Sequence, residues 1–355
     1  MPKPPSPRPA SRAGSHRSEP PMDRRLAVVI PSLNEAAALP TLLGDLASQR
    51  GIELECIVAD GGSRDGSRRL AAARGARVVR APRGRGSQMN HGADAATTDW
   101  LLFLHADSRL GHSGQLAQAL VAIQQAARDD LAIAGHWPLR FLRQQLGRDC
   151  FYRYLEGKTA SQRPHSIHGD QGLLIHREYF RALGGFDTGL PIFEDERLAA
   201  DIFATGRWLL LPGQLGTSAR RFESEGAARR YALMALMVAA EAGGLEAYLR
   251  EVPGLYREQT ETRRLRLRPY LVALANHLRA LPAAQHQQAC ERMGRLLRDN
   301  VWQLAYGLDL VIGASLDGPC LRTYDRRLAP RLDQPWAAYL ATGLIKALEK
   351  LVAPR

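Results

Sequence analysis

Residues 26–30 read Leu-Ala-Val-Val-Ile (LAVVI) and run straight into Pro31-Ser32-Leu33-Asn34-Glu35. Five apolar residues without alternation mark a strand covered on both faces, since a strand with one wet face alternates apolar and polar. Leu39, Leu42, Leu43 and Leu46 then recur at helical spacing, so a helix is expected from Asn34-Glu35 onward. The rhythm repeats downstream. Glu53–Ala59 (ELECIVA) reads as a second strand ending at Asp60-Gly61-Gly62-Ser63, and Arg64 to Arg74 as a helix. Ala76–Arg80 reads as a third strand, Ser87 to Thr97 as a helix, and Leu101–His105 (LLFLH) as a fourth strand. Four strand–helix alternations predict an α/β fold with a mostly parallel sheet, right-handed crossovers and flanking helices.

Sheets of this kind bind ligands beyond the carboxyl ends of their strands. Those ends hold Pro31–Glu35, Asp60–Asp65, Pro82–Asn90 and His105–Asp107, all polar and two of them glycine-rich. Beyond residue 128 the pattern loosens into a strand-like Leu131–Phe141, a helix-like Gln144–Tyr154 and a loop Arg163–Gln171. Gly172–His176 reads as a strand and Glu194–Thr205 as a helix. After Gly226 the chain is mostly helical, with breaks expected at Pro253, Pro269, Pro282, Pro319, Pro330 and Pro335. Three parts are expected: a disordered basic, Pro-rich arm over 1–23, an α/β domain over 24–226, and a helical C-terminal extension over 227–355.

The chain has 355 residues, 45% hydrophobic, which is enough for a core and excludes collagen-like and wholly disordered classes. Its four cysteines, Cys56, Cys150, Cys290 and Cys320, show no pairing pattern and read as reduced thiols of a cytosolic protein. Lys and Arg number 48 against 36 Asp and Glu, and the resulting +12 favours anionic partners. Six basic and two acidic residues fall in 1–25, where no apolar run follows to make a secretion signal. No segment reaches the roughly 18 apolar residues that cross a bilayer. Tyr231–Ala240 (YALMALMVAA), preceded by Arg229-Arg230, reads as a buried helix; the alternative is a helix lying in the headgroup plane. With the basic arm, it is where a peripheral contact with the inner face of the cell membrane would be sought.

Several residues could carry chemistry, each with a plainer reading beside it. Asp107, just past a buried strand, sits where a divalent cation could join protein to a diphosphate; a lone Asp there is otherwise a turn-former. Asp60, with Gly61 and Gly62 behind it, could accept from a base or ribose, or simply cap the next helix. Gly84-Arg85-Gly86-Ser87-Gln88-Met89-Asn90 could bind an anion at a helix N-terminus, with Arg83 and Arg85 adding charge. Glu194-Asp195-Glu196 suits a helix dipole, or supplies a general base for an acceptor hydroxyl. His165 and His168 lack metal-ligand spacing and read as solvated loop histidines. Arg220-Arg221 are surface arginines or a phosphate clamp. NAD binding is disfavoured, because a dinucleotide loop would follow the first strand and carry glycine where Met89 stands. Walker A and serine-elbow motifs are absent, and 6% aromatics with no RNP-type motif argue against nucleic acid.

Three motifs in order, Val29-Ile30-Pro31-Ser32-Leu33-Asn34-Glu35, Asp60-Gly61-Gly62-Ser63-Arg64-Asp65-Gly66 and Leu102-Phe103-Leu104-His105-Ala106-Asp107, resemble family 2 glycosyltransferases with the GT-A fold. More narrowly, the chain resembles the bacterial rSAM/selenodomain-associated transferase 2 subgroup. That likeness is carried by Pro82–Asn90, Gly169-Asp170-Gln171-Gly172, Gly184-Gly185-Phe186, Glu194-Asp195 and Thr217–Phe222, so it spans roughly residues 25–225.

The resemblance implies an inverting transferase that takes a sugar from a nucleotide-diphospho-sugar to an unidentified acceptor hydroxyl, with Mg²⁺ or Mn²⁺. By position it places Pro31, Asn34, Glu35, Asp60, Gly61, Arg85, Gln88, Asn90, His105, Asp170, Gln171, Arg220 and Arg221 at the donor. Asp107 would hold the metal, and Asp195, with Glu194 beside it, would be the catalytic base. Two departures from the family pattern stand out: His105 takes the first position of the usual D-x-D, and Asp60-Gly61 replaces Asp-Asp-Gly. The competing readings are a sugar-1-phosphate nucleotidyltransferase and a non-catalytic module that binds nucleotide-sugar or a membrane surface.

Overall fold

The computed structural model describes residues 23–145, 147–189, 192–257, 259 and 265–352, so the basic arm falls, but for its last residue, outside the described residues. The α/β part opens with β1 (Arg25–Ser32), α1 (Leu39–Ala47), β2 (Glu53–Asp60), α2 (Ser67–Ala73), β3 (Arg77–Arg80), α3 (Arg85–Ala95) and β4 (Trp100–Phe103). It continues through β5 (Arg109–Leu110), α4 (Gln115–Ala126), β6 (Ile133–His136), β7 (Leu139–Leu142), α5 (Asp149–Ala160), β8 (Leu173–His176) and α6 (Arg177–Ala182). Then come α7 (Glu194–Thr205), β9 (Arg207–Leu210), β10 (Leu215–Ser218) and α8 (Arg220–Glu225).

Seven strands form one sheet in the order β3-β2-β1-β4-β8-β6-β9, and β5-β10-β7 form a second, smaller one. β1 pairs in parallel with β2 and with β4, while β8 runs against both β4 and β6. Alternation along β1 divides the core. Leu26, Val28 and Ile30 meet Leu39, Leu42 and Leu46 of α1 and Leu116 and Leu120 of α4. Ala27 and Val29 face the other way, onto Met89 and Ala93 of α3 and Leu198 and Ile202 of α7. Each such buried aliphatic contributes about 1.5–3 kcal/mol, so the continuous apolar run is what a three-layer sandwich requires of its central strand.

The C-terminal part is helical: α9 (Ala227–Ala242), α10 (Glu246–Arg257), α11 (Arg268–Ala280), α12 (Ala283–Asp299), α13 (Trp302–Val311), α14 (Pro319–Thr323), α15 (Ala329–Leu332) and α16 (Pro335–Val352). Tyr231 and Met234 of α9 pack on the α/β core, while Leu233, Leu236 and Met237 pack among α10–α12. Tyr231–Ala240 is therefore a buried seam between two cores. A second contact is made by Trp302 and Tyr306 of α13, which meet Tyr154 of α5.

Several sequence expectations are corrected. The first helix starts at Leu39, because the amides of Asn34, Glu35 and Ala36 are taken by side chains of the β2–α2 loop. Leu131–Phe141 is two strands in different sheets, parted at Trp137-Pro138, where Trp137 donates its amide to Gln171 instead. The helix expected over 144–154 lies at 149–160; Gln144 and Gln145 give their amides to Glu223, and Gly147 takes a left-handed φ of +100°. Pro253 lies inside α10, where the buried Tyr248, Leu249 and Val252 outweigh its roughly 3 kcal/mol penalty. Pro269, Pro282, Pro319 and Pro335 do stand at breaks, at or just before the starts of α11, α12, α14 and α16, where no intrahelical donor is lost. Pro330 instead lies within the continuous helical run 319–332, just after its π-helical turn.

One glycine tests this packing. A Cβ at Gly92 of α3 would lie 2.3 Å from Val29 Cγ1 of the central strand. Gly92→Ala should push α3 off β1 and cost about 1–3 kcal/mol, read as a lower denaturation midpoint in urea; an unshifted midpoint would refute this packing.

Candidate active site

The parallel pairing of β1 with β2 brings Ser32 opposite Asp60, so the loops after both strands leave the sheet together. They are laced to one another. The Asn34 amide donates to Ser63 Oγ at 2.9 Å, the Glu35 amide to Ser67 Oγ at 2.9 Å, and the Arg64 amide to Asn34 Oδ1 at 2.8 Å. Asn34 holds φ at +59°, a conformation its short polar side chain tolerates. Asp60 is buried and accepts from the amides of Gly62 (3.0 Å) and Ser63 (3.1 Å), with Arg68 at 3.6 Å, so its carboxylate shapes the turn.

Three residues expected at the donor brace the protein around it. Gln88 donates to the carbonyls of Ser32 (2.7 Å) and Ala59 (2.9 Å), tying the ends of β1 and β2 and pressing on Gly61. Asn90 exchanges two hydrogen bonds with the Phe186 backbone. Gln171 donates to the Ser166 carbonyl and pairs with His136. Their amides were ambiguous in sequence because a buried amide serves a backbone as well as a ligand.

The acidic centre is built by the reversed strand. Because β8 runs against β4, with Leu173 opposite Phe103, the residues before β8 arrive beside those after β4. Gly169-Asp170 thus meet His105–Asp107. The N-terminus of α7 completes the group: the Gly169 amide donates to Asp195 Oδ2 at 2.7 Å and the Glu196 amide to Asp195 Oδ1 at 3.0 Å. A Cβ at Gly169 would lie 2.8 Å from Asp195 Oδ2 and 3.1 Å from His105 Nε2, a closeness only glycine allows. Arg85, at the start of α3, reaches the buried Glu194 at 3.1 Å. Asp107 is exposed at the mouth, and β5 behind it pairs with β10, which delivers the exposed Arg220 and Arg221 to the same side.

Charges here are strongly coupled. Burial opposes the ionised form of Asp195, but Arg85, His168 and the Gly169 amide outweigh it and hold its carboxyl below the usual range. Asp170 is pushed up to about 6, by burial first and then by Asp195 and Asp107. Burial also raises Glu194, and raises Glu35, on which Asp107, Arg220 and Arg221 all act. His105 is lowered to about 4 by burial and by Arg85, so its imidazole is neutral at physiological pH. His105 Nε2 and Asp170 Oδ1 are buried without hydrogen-bond partners. With the exposed Asp107 carboxylate they supply oxygens and one neutral imidazole, the ligand types a divalent cation of the Mg²⁺ or Mn²⁺ type takes. They are not gathered into a preformed cluster: among the described residues the three whose ligand atoms converge are His286, Cys290 and Glu349.

His168 is a correction: it is no solvated loop residue. Burial works against its charge, yet Glu196 at 2.5 Å raises it to about 9. The pairing joins residues 28 positions apart, and nothing local in the sequence announces it. Phe193 was missed for the same reason. It adopts φ of +74° directly before Glu194-Asp195 and is buried among the helices α9–α12. The C-terminal helices therefore grip the backbone that presents Asp195.

Residues 27–138 match the family described as Glycosyl transferase family 2, which bears out the family recognised in the motifs. Over 112 residues the chain is 36% identical to a PGL/p-HBAD biosynthesis glycosyltransferase of Mycobacterium bovis BCG, covering 30% of this chain and 44% of that protein. Over 121 residues it is 34% identical to an uncharacterised glycosyltransferase of Mycobacterium tuberculosis, covering 32% and 52%. The chain spans about half the length of these relatives. Among solved structures, it resembles a mannosyltransferase of Pyrobaculum calidifontis in complex with GDP-Man and Mn²⁺ at 19% identity and a TM-score of 0.46, covering 93% of this chain and 86% of that one. That likeness is too remote to carry chemistry across.

The His168–Glu196 pair predicts a pH signature. The pKa of His168 is higher folded than its unfolded 6.5, so the pair's stabilisation is complete below pH 6.5 and fades as pH climbs through about 9. Glu196→Gln should cost about 2 kcal/mol at pH 6, with the gap to wild type closing by pH 10 in chemical denaturation. A gap independent of pH would show that the imidazole is not charged.

Proposed function

From the family 2 glycosyl transferase character of residues 27–138, we infer that this chain is an inverting glycosyltransferase. It moves a sugar from a nucleotide-diphospho-sugar to an acceptor hydroxyl, with a divalent cation, in the cytosol. The observation that carries this reading is the meeting, at one edge of the sheet, of a half-buried carboxylate held below the usual range, two unpartnered metal-capable atoms and two exposed arginines.

Each residue has a part. Asp107, with Asp170 and His105 behind it, would hold the cation; when bound, that ion stabilises negative charge on the diphosphate as a Lewis acid. Arg220 and Arg221, exposed and acting on Glu35, would meet the same developing charge. Pro31, Asn34, Glu35 and Gly61 would face the nucleoside, with the buried Asp60 shaping the turn behind them. Asp195 takes the proton of the acceptor hydroxyl. The acceptor oxygen forms its bond to the anomeric carbon from the face opposite the diphosphate, and the electron pair of the broken C–O bond leaves on the diphosphate. A single displacement of this kind inverts the anomeric centre. The amides of Gly169 and Glu196 fix the Asp195 carboxylate in position, while Arg85 neutralises Glu194 and helps keep Asp195 ionised.

The nucleotidyltransferase reading is disfavoured by the loop after β1. Such an enzyme cradles a triphosphate on free backbone amides, whereas those of Asn34, Glu35 and Ala36 are already bonded to Ser63, Ser67 and Asp65. A purely binding module would leave Asp195 without a task.

Two substitutions separate binding from chemistry. Asp107→Asn should abolish the Mn²⁺-dependent part of nucleotide-sugar binding in calorimetry, and unchanged affinity would remove Asp107 from the metal site. Asp195→Asn should keep donor binding and lose about 10²–10⁴-fold in turnover; an active Asn variant would end its role as base.

A further inference from the structure

The outward face of α16 is apolar from end to end. Trp336, Tyr339, Leu340, Leu344, Leu348 and Leu351 are all exposed, Tyr339 at 78% and Leu351 at 80%, and the residues between them on that face are Gly343, Ala347 and Lys350. Helix α13 does the same with Leu304, Leu308, Val311 and Ile312, at 59–83% exposure. Its one charged residue, Asp309, is buried and accepts from the amides of Cys320 and Leu321. Scattered exposed leucines are ordinary, whereas two apolar stripes of this length, interrupted by a charge only at Lys350, are not.

The orientation of α16 is fixed. Its inner face, with Ala337 and Thr342, packs so closely on α12 that a Cβ at Gly294 would lie 2.8 Å from the Thr342 nitrogen. Glu349 is held at the edge by His286 (2.9 Å) and Arg279 (3.6 Å). The helix therefore cannot turn its leucines inward. No helix among the described residues is long and apolar enough to cross a membrane.

We propose that this C-terminal helical face docks on an anionic lipid surface, with α16 lying in the interface. Charge selects that occupant. The segment 324–332 leads into α16 and α15 packs against it; it exposes Arg326, Arg327 and Arg331. Of the two acidic residues before α16, Asp325 is engaged by Arg163 and Asp333 is exposed, so three arginines stand against one open carboxylate. An anionic leaflet complements the exposed Arg326, Arg327 and Arg331. Trp336 and Tyr339 at one end and Lys350 at the other are the side chains that settle at headgroup level. The inference does not depend on the sugar-transfer reading.

Co-sedimentation of the full chain with phosphatidylcholine vesicles, alone or with 30% phosphatidylglycerol, tests it. Wild type should pellet with the anionic vesicles, and binding should weaken between 100 mM and 500 mM NaCl. Leu340→Glu with Leu351→Glu should lower vesicle affinity at least tenfold, with an unchanged circular-dichroism melt because both side chains are largely exposed, at 67% and 80%. Arg326→Glu with Arg327→Glu should erase the preference for phosphatidylglycerol. The proposal is overturned if wild type ignores both vesicles, or if the leucine variant binds as well as wild type. It is equally overturned if light scattering shows a dimer that the leucine substitutions dissolve while vesicle binding is absent.

Discussion

A carboxylate kept ionised inside the protein is the constraint on which the site depends. Burying the charge of Asp195 is unfavourable unless cations and amide donors are fixed around it. Here they come from three directions: Arg85 from the start of α3, His168 and the Gly169 amide from the loop before β8, and the Glu196 amide from its own helix. His168 and the Gly169 amide reach Asp195 because β8 is inserted against β4, a reversal that carries Gly169 to the carboxyl edge of the parallel strands. The chemistry proposed for the site and the one reversed strand in the middle of the sheet are a single fact.

The helical C-terminal part is tied into the same constraint. Phe193, immediately before Glu194-Asp195, is buried among helices that follow it by some forty residues or more. Glu225 at the end of α8 meets Arg230 of α9 and the Tyr256 hydroxyl of α10, so the helix that begins with Arg220 and Arg221 is braced from the same side. Elsewhere α13 stacks Tyr306 on Tyr154, and Arg163 is held by Asp325 and the Trp302 ring. These helices are packed both to present the catalytic turn and to leave one apolar face uncovered.

The readable part of this protein is the part whose signal is local. Leu26–Ile30 announces a doubly covered strand because every residue in it is buried, and Leu39, Leu42, Leu43 and Leu46 announce the inner face of a helix. Where backbone amides are captured by distant side chains the reading slips, as with the delayed start of α1 and the displaced α5. The reading of Pro253 as a break failed because tertiary burial outweighed a local preference. All four cysteines are free, as their spacing suggested.

The sequence alone determined the α/β architecture, the family of residues 27–138 and the set of polar strand ends, since periodicity and motif order are properties of neighbouring residues. Only the tertiary structure decided which polar side chains are spent holding backbone, as Gln88, Asn90 and Gln171 are, and which remain with free atoms, as His105 and Asp170 do. It also decided that His168 is charged and that α16 turns its leucines outward. Hydrogen-bond partners, proton affinities and solvent exposure are set by groups that meet across the fold, and no window along the chain contains them.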